Sequence, residues 1–187
     1  MSDFLEARQR AESRSPLIKQ FRGKVQIAPS KVRNKGGLGE FVEPDHPSNP
    51  LPGKYTITIG ENSKGLKGGV SDTIIADMVH AAGEFSPDFK RLKKEMVSNF
   101  GEKEISLAKR IYDREAPNQT GTNFSSFKNF LNGPYSDGIV QHLLLPENSE
   151  IEGFKQASPK AIPSLNAIEH LFKTGTPKGK LGELMNE

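Results

Sequence analysis

The most constraining feature of the chain lies between residues 55 and 84, where the apolar period changes from two residues to the spacing of a helix. Residues 55–59, Tyr-Thr-Ile-Thr-Ile, alternate as a half-buried β-strand does. A glycine-rich turn at 64–69 follows, and Ser71 is a suitable N-cap for a helix that continues to about residue 82. A strand, a glycine turn and a helix in this order require a fold that contains both sheet and helix.

Helical patterns dominate the rest of the chain. Apolar residues at helical spacing predict helices at 88–100 and 103–115, and another helix that starts near Ser158. A short alternation within 21–28 predicts one more strand. The predicted fold class is therefore α+β: a predominantly helical small domain with a short β-hairpin or small sheet, plus an extended N-terminal arm.

Composition divides the chain into three regions. Residues 29–53 contain five prolines and four glycines, which is typical of a connecting segment. The charged helix expected at 2–15 has an apolar stripe too narrow to hold it in place alone. We therefore predict a basic N-terminal arm and Pro/Gly-rich connector at 1–53, a small α+β domain at 54–173 and a flexible C-terminal tail at 174–187.

Several classes of chemistry are excluded by composition. The 187 residues include no cysteine, so disulfides, thiolate metal sites and cysteine nucleophiles are absent. No apolar run approaches the roughly 20 residues that cross a bilayer. The N-terminus lacks the apolar centre of a secretory signal. We expect no membrane span, no cofactor and synthesis in a cytoplasm.

Basic residues are concentrated near the N-terminus, although the net charge is only +3. Residues 1–40 carry nine lysines and arginines against four acids. This excess predicts docking to a polyanion or to an acidic protein surface, and the alternative is a solvated segment with no partner. The predicted partner-binding residues are Arg8, Arg10, Arg14, Lys19, Arg22, Lys24, Lys31, Arg33 and Lys35.

The helix predicted at 71–84 has two faces at 100° per residue. The apolar face consists of Ile74, Ile75, Met78, Val79 and Ala82. The opposite, polar face consists of Thr73, Ala76, Asp77, His80 and Glu84. Asp77 and His80 form either the floor of a cleft or an ordinary surface pair one turn apart, and the surface pair is the favoured interpretation.

Residues Ala76 to His80 resemble the HExxH motif of the zincin metalloproteases. In that family two histidines on one helix bind zinc, and the glutamate between them activates water. The register places Ala76 at the first ligand, Asp77 at the base and His80 at the second ligand. Because alanine cannot coordinate, the resemblance implies a degenerate scaffold without a metal. In an enzymatic version, Asp77, His80 and Glu84 would be catalytic, with His80 and Glu84 as metal ligands.

An aromatic stripe at Phe124, Phe127 and Phe130 has helical spacing. Such a stripe is typical of a buried helix face. The alternative is a platform on which single-stranded bases stack beside Lys128.

Residues 36–172 also resemble small proteins of tailed bacteriophages, including virion-associated and ejected proteins. The resemblance rests on the run GGLGEFVEPDHPSNPLPGKYTITIG, the Asp77–His80 helix and the run SPKAIPSLNAIEHLF. It implies a non-enzymatic structural or accessory component of the virion that docks to neighbouring subunits through its N-terminal arm and is oligomeric or assembly-bound. Two alternatives stay open: the degenerate zincin-type hydrolase, and a small basic module that binds nucleic acid or a host protein.

Overall fold

A computed structural model describes residues 2–30, 39–60, 69–119, 122–148 and 158–177. The chain forms two compact units, Met1–Ser86 with His170–Glu187, and Pro87–Glu169. These described residues are predominantly helical with a small three-stranded sheet, which confirms the predicted α+β class. No helix in the described ranges is long and apolar enough to cross a membrane.

The first unit packs helices on a three-stranded sheet. Its elements are α1 (Ser2–Arg14), α2 (Pro16–Lys19), β1 (Val25–Pro29), β2 (Gly39–Val42), β3 (Tyr55–Ile59) and α3 (Val70–Phe85). The strand order is β1-β3-β2, with β1 parallel and β2 antiparallel to β3. Because β3 is central, Thr56 and Thr58 are buried together with Ile57 and Ile59, so the strand is more deeply buried than its half-polar alternation predicts.

Helix α3 begins two residues earlier than a Ser71 N-cap predicts, and it ends later, at Phe85. Its N-cap is Gly69, whose φ of +60° is a backbone conformation that favours glycine. Ser71 is therefore not the cap. It lies inside the helix, and its buried Oγ has no hydrogen-bond partner in the part of the chain that is described. The predicted apolar face of this helix is buried in full.

The N-terminal residues belong to the first unit, which differs from the predicted separate arm at 1–53. Ala11, Leu17, Ile18 and Phe21 are all buried. The narrow apolar stripe of α1 is supplemented by ion pairs, because the buried Glu12 accepts hydrogen bonds from two arginines. These ion pairs help to hold a helix whose apolar face is too narrow to hold it in place alone.

The second unit is helical in its described part. Its elements are α4 (Pro87–Ser98), α5 (Glu102–Glu115), α6 (Phe127–Phe130), a π-helical turn (Leu131–Tyr135), α7 (Ser136–Leu144) and most of α8 (Ile162–Thr174). Helix α8 ends in the first unit, and residues 178–187 of the predicted tail lie outside the described ranges. Of the predicted Phe stripe, Phe127 and Phe130 pack on Tyr112, with ring centroids 5.7 Å and 5.5 Å apart, and Phe124, which precedes α6, packs on Phe130 at 5.4 Å.

Candidate functional site

Asp77 was predicted to lie on an exposed face of α3. It is instead buried, with 8% of its surface accessible. Its carboxyl lies against β2, where a Cβ added to Gly39 would stand 2.5 Å from Asp77 Oδ2 and 2.5 Å from Thr73 Cγ2. The absence of a side chain at Gly39 therefore lets strand and helix approach closely. The interpretation of Asp77 as half of a surface pair is wrong, because the arriving strand covers it.

The surroundings of Asp77 raise the pKa of its carboxyl group. Burial raises the pKa of this carboxyl to about 7, the nearby His80 opposes the shift, and Glu40 adds to it. Thr73, one turn earlier, is also buried, and its Oγ1 has no hydrogen-bond partner in the described structure. The site can therefore exchange a proton near neutral pH, but its carboxyl faces the backbone of β2.

The three residues of the predicted enzymatic site are in different environments. Asp77 is buried, His80 is half-buried and Glu84 is exposed. Ala76, at the first zincin ligand position, offers no donor atom. Within the described ranges, no group of three or more His, Asp or Glu side chains is arranged to hold a metal ion.

The nine predicted partner-binding residues also separate into groups. Arg8 points inward, and its Nη1 and Nη2 donate to the carbonyl oxygens of Val25 (3.1 Å) and Arg22 (2.9 Å). Arg14 pairs with Asp72, and Arg22 pairs with Glu12. Arg10, Lys19 and Lys24 are exposed, with Arg10 3.7 Å from the exposed Glu6 and Lys24 5.2 Å from the centre of the Phe85 ring. Lys31, Arg33 and Lys35 lie outside the described residues.

A second polar site, which the sequence reasoning missed, lies in the helical unit. Glu104 in the first turn of α5 is 1% exposed, and neither of its carboxylate oxygens has a hydrogen-bond partner among the described residues. The buried hydroxyl of Tyr135 also has no partner there. The only sequence signal was a glutamate three residues after Gly101, which is the spacing of a helix cap.

Comparison of the chain with family models, curated proteins and solved structures finds no match. The functional argument therefore depends on the residues themselves.

Proposed function

We propose that the protein is a non-enzymatic structural or accessory component of a bacteriophage particle that docks to neighbouring subunits through its N-terminal segment. The resemblance over residues 36–172 supports the phage setting and a location in the virion. The observation that supports docking most directly is helix α1: one face is fixed by ion pairs to the buried acids Glu12 and Asp72, and the other face is exposed.

The fixed face of α1 is held by charge. Glu12 accepts from Arg8 Nε at 2.9 Å and from Arg22 Nε at 3.1 Å, and Arg14 at the end of the helix pairs with the buried Asp72. These bonds tie α1 to α3 and to the turn before β1. A helix that is positioned in advance loses little conformational entropy when it binds a partner.

The exposed face of α1 determines the chemistry of that partner. Leu5 is 59% exposed, the largest exposure among the large apolar side chains described. Arg10 lies on the same helix and is exposed, as are Lys19 and Lys24 further along the segment. A complementary surface would be acidic, with an apolar position for Leu5. We therefore propose an acidic surface on a neighbouring subunit.

The solution mass of the full chain tests this proposal without knowledge of other subunits. We expect light scattering to show assemblies larger than a monomer at low salt and high concentration. The double variant Leu5→Glu with Arg10→Glu is expected to return the protein to a monomer. Leu107→Glu with Lys94→Glu, an exposed leucine and lysine in the helical unit, is the matched control. A monomer under every condition would overturn docking between copies of this chain, and an equal effect of both double variants would overturn the role of the exposed face of α1.

A second candidate is the degenerate zincin-type hydrolase. It is favoured by one observation, the carboxyl of Asp77 with its pKa of about 7 next to His80, because general acid–base groups work best near the operating pH. Metal analysis of the purified protein distinguishes this candidate. Stoichiometric zinc that is lost in His80→Ala and retained in His46→Ala, which changes an exposed histidine, would replace the structural proposal with the hydrolase.

A third candidate is nucleic-acid binding, favoured by the exposed charges of Arg10, Lys19 and Lys24. Binding to phosphates weakens steeply with salt, because each neutralised phosphate releases counterions. Binding to single- or double-stranded DNA that fails to weaken between low and physiological salt, or that is unchanged in Lys19→Glu with Lys24→Glu, would exclude this candidate.

A further inference from the structure

The helical unit contains a buried carboxylate that the proposed docking function does not use. Glu104 is 1% exposed, and both of its oxygens lack a hydrogen-bond partner among the described residues. A buried acceptor left in this state carries a large desolvation cost, and a charged one carries more. Such groups in native proteins call for an explanation, one of which is a ligand.

The local structure explains why Glu104 has no protein partner. A glutamate at the third position of a helix usually accepts from the backbone N–H of the N-cap residue. Here the N-cap is Gly101, and its N–H donates to Ser158 Oγ at 3.0 Å instead. Ser158 is itself buried and arrives from a distant part of the chain. The serine therefore replaces the glutamate in the cap and leaves the carboxylate available.

Tyr135 adds a second group without a partner to the same region. Its hydroxyl is buried, and no described residue bonds to it. Burial and then the negative charge of Glu104 raise the pKa of this phenol to about 12, so the phenol stays protonated and lies within electrostatic reach of the carboxylate. The Tyr135 ring also packs edge-on against Phe100, with centroids 6.0 Å apart.

These acceptors define the ligand. Two carboxylate oxygens and one phenol oxygen can accept three hydrogen bonds, and a primary ammonium group has three N–H donors and a positive charge. A divalent metal ion would require more oxygen ligands, and the described residues contain no group of three His, Asp or Glu side chains suited to it. We propose that Glu104 and Tyr135, beside the capping residue Ser158, form a binding site for the ammonium group of a small primary amine.

Gly101 provides a way to fill this site without removing charge. A Cβ on Gly101 would stand 3.0 Å from Glu104 Oε2 and 3.6 Å from Ser158 Oγ, so both oxygens border the space above the glycine. The backbone of Gly101 is extended, with a φ of −83°, which alanine also adopts. Gly101→Ala is therefore expected to fold normally and to crowd the carboxylate.

The test uses the full chain and methylammonium chloride, with sodium chloride and tetramethylammonium chloride at equal ionic strength as controls. Sodium lacks N–H donors, and tetramethylammonium carries the charge without them. Because the carboxylate is nearly inaccessible, samples are equilibrated before NMR shifts of Glu104 and Tyr135 are recorded. We expect a saturable shift with methylammonium alone, and a rise in the thermal midpoint that follows the same saturation.

Four variants test whether Glu104 binds the ammonium group or has only a structural role. Glu104→Gln is expected to weaken binding by about tenfold or more, because the charge-assisted bonds are lost. Tyr135→Phe and Gly101→Ala are expected to weaken it less. Glu102→Gln, which changes an exposed carboxylate on the same helix turn, is expected to bind as the parent does. An equal response to all three salts, or equal methylammonium binding by Glu104→Gln and the parent, would overturn the proposal, and neither result bears on docking through α1.

Discussion

A single residue, Asp77, shows how position in the fold changes the meaning of a side chain. As a surface carboxylate it would be charged throughout the physiological range. Enclosed beneath Gly39 of β2, it has a pKa of about 7 and changes charge near neutral pH. The residue that resembled a catalytic base is therefore, in structural terms, a titratable group within the packing of the first unit.

The raised pKa of Asp77 predicts a specific pH dependence of stability. The native state retains this proton up to about pH 7, whereas the unfolded chain loses it near its ordinary pKa of 3.8. The unfolded state therefore binds fewer protons between these values, and the free energy of unfolding falls as pH rises, by on the order of 1 kcal/mol per pH unit. Asp77→Asn is expected to remove this slope, gaining stability relative to the parent at pH 8 but not at pH 4.

Chemical denaturation of both proteins at several pH values measures this difference. Glu84→Gln, which removes the charge of an exposed carboxyl on the same helix, is the matched control. A stability difference between Asp77→Asn and the parent that stays constant from pH 4 to pH 8 would contradict the raised pKa.

At the scale of elements, helix α1 is held by a buried carboxylate, Glu12, whose pKa is shifted in the opposite direction to that of Asp77. Burial works against the ionised form of Glu12, but hydrogen bonds from Arg22 and Arg8 outweigh it, and the pKa of Glu12 falls below 4.5. Such a group stabilises the fold above its unfolded pKa, and this contribution is lost as pH falls through the folded value. The anchoring of α1 is therefore strongest at neutral pH.

Replacing Glu12 with glutamine tests this anchoring. We expect Glu12→Gln to lower the free energy of unfolding by about 2 kcal/mol at pH 7, because charge-assisted bonds are lost and Arg8 keeps no carboxylate partner. The loss should shrink in acid, when the parent also loses the charge. Glu6→Gln, exposed on the same helix and 3.7 Å from Arg10, should cost little. Denaturant titrations that give equal losses for both variants would refute the anchoring.

The contact between β2 and α3 depends on one missing side chain. Gly39→Ala would place a methyl group 2.5 Å from Asp77 Oδ2 and 2.9 Å from the Thr58 carbonyl oxygen, and the backbone atom cannot rotate away. We expect a loss of about 2 kcal/mol in unfolding free energy from overpacking. Gly23→Ala, where no atom lies within 4 Å of the new Cβ, is the control and should be nearly neutral. Equal denaturation midpoints for Gly39→Ala and Gly23→Ala would contradict this prediction, because β2 would then accommodate the methyl group without a loss of stability.

Local periodicity predicted these elements but not their packing. The strand at 55–59 and the apolar face of α3 were both confirmed, because each depends on side-chain spacing within one element. The burial of Asp77 depends on Gly39, which approaches from another strand. The lack of a hydrogen-bond partner for Glu104 depends on Ser158, which comes from more than fifty residues away and takes the N–H of Gly101. Polar groups that are buried by distant segments leave no periodic signal in their own element.

At the scale of the whole molecule, the division into two units departs furthest from the sequence prediction. Composition placed a boundary after residue 53, where the proline-rich segment ends. The compact units instead divide at Ser86 and Glu169, and the basic N-terminus joins β3 and α3 in one unit. Ion pairs such as Arg14 with Asp72 join segments of this unit that are far apart in sequence. Charged residues that pair inside a fold are indistinguishable in sequence from charged residues that face solvent.

This division predicts that a destabilising substitution in one unit speeds amide hydrogen exchange more in that unit than in the other. Gly39→Ala acts inside Met1–Ser86, whereas α5 belongs to Pro87–Glu169. If the units open as separate cooperative segments, this substitution should lower amide hydrogen-exchange protection mainly in its own unit. Exchange followed by mass spectrometry on the full chain, with peptides assigned to α3 and to α5, measures both. We expect Gly39→Ala to speed exchange in α3 by about tenfold or more, which corresponds to a local loss of about 1.4 kcal/mol, and to leave α5 nearly unchanged. Equal acceleration in both helices would instead show that the chain opens as one cooperative body.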